Sequence, residues 1–209
     1  MEIKYIILGW LLGILSPGIT NYISNKYKKN ALKQVIISEL RDIKIRLAPL
    51  PFRIRTDYGT VDIKTFQWTK AQTQNFKDLG ADGNIYDHLE KLCGDDIKLA
   101  EILSAYNQRS KKNKPAFSFK KISTSTIDSN SMNFDILDNK LLTRLLEIKF
   151  HINAFNEEIQ SVREYLKWTF DSNISNDNHR IISEEIERKN LIISEKAIYI
   201  VEKINHIIC

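Results

Sequence analysis

The spacing of apolar and polar residues divides this chain into stretches of different character. Tyr5 to Asn25 reads YIILGWLLGILSPGITNYISN, 21 residues without a formal charge. As a helix rising about 1.5 Å per residue it reaches roughly 32 Å, close to the ~30 Å hydrocarbon thickness of a bilayer. From Ile23 to Leu47 the pattern becomes periodic, with Leu32, Val35, Ile36, Leu40, Ile43 and Leu47 at helical spacing and basic residues between them. Pro49 and Pro51 end that helix by biasing the residue before each away from helical geometry.

The middle third is more broken. Phe52-Arg53-Ile54-Arg55-Thr56 alternates as a short strand does, and Asp57-Tyr58-Gly59-Thr60 follows as a turn. Asp62 to Lys77, Ile85 to Leu92 and the run opened by Asp95-Asp96 each read as helices. Ser123 to Asn133 is a polar linker or loop. From Ala116 onward 94 residues contain no Gly or Pro, which permits long helices. Leu141, Leu145, Ile148, Ile152, Phe155, Ile159, Val162 and Leu166 step by four and three, a heptad seam. After the polar turn 171–179, Ile182, Ile186, Ile193, Ala197, Ile200, Ile204 and Ile208 mark a second helix, so 134–209 is expected as an antiparallel hairpin.

The fold expected is mainly α: an N-terminal transmembrane helix, then a cytosolic α-helical domain ending in a long antiparallel helical hairpin, with at most a small β element. Its divisions are a transmembrane anchor (1–25), a basic juxtamembrane helix or stalk (26–50) and the cytosolic helical domain (51–209). A cleaved signal peptide fits the first stretch less well. Its start, Met1-Glu2-Ile3-Lys4, has no net side-chain charge, and no small-x-small site follows. A buried core helix is the other alternative. The 26–50 segment is either a stalk packed on the domain or a basic amphipathic helix lying on a bilayer.

Charge sharpens the location. Asn21 to Arg55 carries nine Lys or Arg against Glu39 and Asp42, whereas the chain from Thr56 is slightly acidic. Lys26, Lys28, Lys29 and Lys33 follow the apolar run directly, as expected on the cytoplasmic side of a single-pass protein of the inner (cytoplasmic) membrane, beside anionic lipid. Gly9, Gly13 and Ser16 form a small-residue face suited to helix self-association, which points to a homo-oligomer. Cys93 and Cys209, two and distant, fit free thiols in a reducing compartment.

Candidate chemistry adds one constellation. Arg109, Lys111, Lys112, Lys114, Lys120 and Lys121 surround Phe117 and Phe119, and after Pro115 both rings would share one face of an extended segment. Cations neutralise phosphate and aromatic rings stack on bases, so the segment suits a nucleotide or single-stranded nucleic acid. The competing reading is a solvated loop whose phenylalanines dock into the core. No glycine-rich phosphate loop, metal-spaced His or Cys, or nucleophile motif is present, so neither enzymatic activity nor a metal or other cofactor is expected. The acidic pairs Glu157-Glu158 and Glu184-Glu185 read as solvated helix faces.

The stretches LGWLLGILSP (8–17), FSFKKIS (117–123), LLTRLLEIK (141–149), AFNEE (154–158) and TFDSNISNDNH (169–179) are similar to those of uncharacterised bacterial single-span membrane proteins with a helical cytosolic domain. That resemblance implies layout and no activity. The architecture also resembles membrane effectors of bacterial antiviral systems, in which a cytosolic sensor gates a membrane segment. The expected function is therefore a membrane-anchored sensor or effector module that recognises an anionic ligand or a partner protein. The alternative is a membrane-tethered scaffold for a protein partner.

Overall fold

A computed structural model describes residues 2–76, 84–92, 96–110, 117–171 and 174–208. Eight α-helices are described: α1 (Glu2–Leu47), α2 (Leu50–Asp57), α3 (Ile63–Thr73), α4 (Asn84–Lys91), α5 (Asp96–Ser110), α6 (Ser125–Ser129), α7 (Asn139–Trp168) and α8 (Asn176–Ile208). Short 3-10 turns occupy Gln74–Phe76 and Ser131–Ile136. No strand occurs among the described residues.

The hairpin forms along the heptad seam. Leu145, Ile148, Ile152, Phe155, Ile159 and Val162 of α7 are fully buried, facing Ile186, Ile193, Ala197, Ile200 and Ile204 of α8. Asp138 starts α7 by accepting the Leu141 N–H at 2.8 Å, a local N-cap. Helix α8 is central, since α7, α2 and α1 all pack on it. Its buried stripe is accordingly too wide for one seam and also takes in Asn190, Ser194 and Val201.

Two expectations are corrected. The first is the transmembrane anchor. Among the described residues no helix is long and apolar enough to cross a membrane. The first stretch and the basic helix are one helix of 46 residues, continuous through Pro17. Its apolar run is diluted from Ser16 onward by Pro17, Gly18, Thr20, Asn21, Ser24 and Asn25 before the lysines begin. The spanning helix, and the single-pass arrangement built on it, are therefore not supported by the described residues. The distal half of α1 belongs to the domain, with Leu32, Ile36, Leu40, Ile43 and Leu47 buried in the same core as α7 and α8.

The second is the strand at 52–56, which is helix α2. Pro51 sits in the first turn, where its missing N–H has no intrahelical partner to lose. Phe52 and Ile54 alternate because two residues turn a helix through about 200° and so point to opposite sides. Ile54 enters the main core, while Phe52 joins a second cluster with Val61, Phe66, Leu89, Leu99 and Leu103. One short helix therefore serves two cores.

The 123–133 stretch is also more ordered than a linker, because α1 reaches across to it. The Glu39 carboxylate accepts the Thr126 N–H at 2.9 Å and the Ile127 N–H at 2.6 Å, capping α6 from a helix 87 residues away in sequence.

Candidate functional site

Among the described side chains of α1 before residue 32, none is buried. Ile3, Tyr5, Ile7, Trp10, Leu15, Ile19, Tyr22 and Tyr27 are all exposed, with Trp10 at 68%. Gly9, Gly13 and Ser16 are exposed too, and a side chain added at either glycine would meet nothing within 4 Å. Packing within the chain gives no reason for these glycines. Thr20 donates its hydroxyl to the Ser16 carbonyl at 2.9 Å, beside the donor that Pro17 removes. The result is a helical arm rich in aliphatic and aromatic residues, whose described apolar side chains are exposed.

At the base of the arm lies a basic collar. Lys26, Lys28 and Lys33 are exposed and Lys29 is half-buried. Tyr22, Asn25, Lys26, Lys29 and Asn30 recur on one ridge of α1 and, with Ile136, line a cleft of about 510 Å3. Asp138 stands close by. Its carboxyl is held below the usual range first by the Leu141 N–H and then by the charges of Lys29 and Lys33. The start of α7 and the end of α8 lie at this same end of the bundle. There Arg144 donates to the His206 carbonyl at 2.8 Å, Lys203 pairs with Glu147 at 2.6 Å, and Lys140 is exposed.

The 109–121 segment is arranged differently. Arg109 is exposed in the last turn of α5, and Lys120 and Lys121 are exposed; Lys111, Lys112 and Lys114 lie outside the described residues. Phe117 and Phe119 are half-buried against the main core. Phe117 stacks on Tyr58 at 5.8 Å and meets Phe119 edge-on at 5.1 Å, with the Arg53 guanidinium 6.0 Å from both rings. The rings are engaged inside the fold. The backbone is pinned as well: Asn190 donates to the Phe117 carbonyl at 3.3 Å and Arg163 to the Phe119 carbonyl at 2.9 Å. Asn156 makes a two-point bridge, accepting from Ile122 N–H and donating to its carbonyl, both at 2.8 Å.

These pinning residues escaped sequence reasoning. Asn190 is fully buried and donates to the Tyr58 hydroxyl at 2.8 Å. Burial, first, pushes the Tyr58 hydroxyl up to about 12. The one signal available was position: Asn190 falls four residues after Ile186 and three before Ile193, on the α8 seam itself.

The acidic pairs form ion pairs, with Glu158 on Lys189 at 2.8 Å, Glu184 on Arg180 and Glu185 on Arg188. His151 lies between the rings of Phe150 and Tyr199. Among the described residues no group of three His, Cys, Asp or Glu is placed to hold a metal ion. No family model, curated protein or solved structure matches the chain.

Proposed function

We propose that this chain is a non-enzymatic helical module that works at an anionic membrane surface. The arm of α1 docks against the lipid, and the bundle is held beside it to present its surfaces to other molecules. The observation that carries this reading is the arm itself: exposed aliphatic and aromatic residues immediately followed by a lysine collar. Tyr and Trp have an apolar body and a polar tip, which suits the headgroup boundary, and Tyr5, Trp10, Tyr22 and Tyr27 supply both along the arm. Lysines near an anionic leaflet contribute about 1 kcal/mol each. Four of them therefore favour anionic over neutral vesicles by roughly a thousandfold at low salt, falling as salt screens them.

A protein partner covering the arm is the second reading, and it accounts for the exposed apolar residues without requiring the lysines. Vesicle flotation separates the two. The full chain should float with phosphatidylcholine vesicles containing phosphatidylglycerol, much less with phosphatidylcholine alone, and residues 26–209 should float with neither. Flotation of the full chain that ignores vesicle charge and salt would remove the collar from the account. Failure to float with any vesicle would leave the scaffold reading.

A further inference from the structure

We infer that the cleft between α1 and Ile136 is a binding site for the phosphate of an anionic ester, either a phospholipid headgroup or a soluble glycerol phosphate. The inference deepens the membrane reading and, in its lipid form, rests on it. The lining residues of the cleft bring two ammonium groups (Lys26, Lys29), two amides (Asn25, Asn30) and a phenol (Tyr22) to one ridge of α1, with Ile136 as the opposite wall and, among the described residues, no carboxylate. Ammonium, amide and phenol groups all donate hydrogen bonds, and the non-bridging phosphate oxygens, two in a phospholipid diester and three in a glycerol phosphate monoester, can accept them. A cleft of about 510 Å3 admits a phosphate with its glycerol and leaves room for water.

Asp138 feels the charges of Lys29 and Lys33, while its Oδ1 accepts the Leu141 N–H at 2.8 Å as the cap of α7. Lys29, half-buried where the other three collar lysines are exposed, has less freedom to lose on binding.

The test compares two double variants of the full chain that remove the same charge. Lys26→Gln/Lys29→Gln empties the cleft of cations, whereas Lys28→Gln/Lys140→Gln removes them from outside it. Binding to vesicles of phosphatidylcholine and phosphatidylglycerol should weaken at least about tenfold for the first pair, because hydrogen bonds to charged groups are lost. The second pair should lose no more than about threefold, the diffuse contribution alone. In parallel, sodium glycerol phosphate is titrated into the full chain while the side-chain amide signals of Asn25 and Asn30 are followed by NMR. Saturable shifts that vanish in Lys26→Gln/Lys29→Gln support the cleft with a soluble ligand, even if no vesicle is bound and the membrane reading falls. Pair-selective loss on vesicles without those shifts identifies the lipid as the source. Equal losses for the two pairs together with no saturable shift overturn the cleft and leave only a diffuse collar.

Discussion

Glu39 ties the projecting helix to the rest of the protein, and replacing it tests whether α1 is part of the fold. Its two carboxylate oxygens take the Thr126 and Ile127 N–H groups at 2.9 and 2.6 Å, two donors at the start of α6 that α6 itself cannot satisfy. Hydrogen bonds to a charged group contribute about 1.5–3 kcal/mol each, and a lost helix cap costs about 0.5–2. Glu39 is half-buried, so water replaces part of what is lost and the lower end applies. Glu39→Ala should therefore destabilise by about 2–3 kcal/mol. For a chain of this size that lowers the melting temperature by roughly 5–10 °C. Glu39→Gln keeps one good acceptor and should lose about half as much. The assay is thermal melting followed by circular dichroism at 222 nm, with Asp42→Ala as the control. Asp42 is exposed three residues on along the same helix and should shift stability by less than about 0.5 kcal/mol. If Glu39→Ala melts within a degree of the parent, or Asp42→Ala falls as far, the tie is not holding α6.

Leu145→Ala, at a position with no exposure, should cost about 2–5 kcal/mol in the same melts; an unchanged transition means the heptad seam is not the core. Asn156→Ala removes both bonds that hold Ile122. It should speed amide exchange across 117–122 with little change in α7, and uniform exchange through both segments contradicts the clamp. The pH dependence has a sign at each end. Asp128, held below the usual range first by the Lys149 hydrogen bond, and Glu147, held down first by Lys203, contribute stability above the ordinary carboxylate values. That contribution is lost as pH falls below about 4. Tyr58 works oppositely: burial raises it to about 12, so its contribution is complete below pH ~10 and is lost as pH climbs toward 12. Absorbance at 295 nm should show one phenol titrating late and missing in Tyr58→Phe; tyrosines that all ionise together near pH 10 contradict its burial.

The hairpin was legible because a helix of seven-residue repeat leaves its seam in the sequence, and Leu145 to Val162 are buried as the spacing requires. Helix α2 reads as a strand because a two-turn helix feeding two cores and a strand feeding one both place apolar residues two apart, as Phe52 and Ile54 show. Asn190 was passed over for a related reason. A single polar residue on a seam carries no periodic signal, and its partners, Tyr58 and Phe117, are 132 and 73 residues away in sequence. The same holds for Glu39, which reads locally as one acid among bases. For the arm, composition showed apolar residues but not their extent: helix α1 runs straight on into the domain, and polar residues from Ser16 dilute what precedes the lysines. The basic collar was visible as a cluster. Its cleft was not, since Ile136 completes it from more than a hundred residues away.

The most direct measurement places the arm relative to lipid. In the full chain carrying Trp68→Phe and Trp168→Phe, Trp10 is the remaining tryptophan, and it stands exposed in the apolar part of the arm. With vesicles of phosphatidylcholine and phosphatidylglycerol its emission should move to shorter wavelength, become shielded from iodide and revert as salt is raised. Emission that stays at the wavelength of solvated tryptophan, equally quenched by iodide with and without those vesicles, would contradict the proposal that this protein works at an anionic membrane surface.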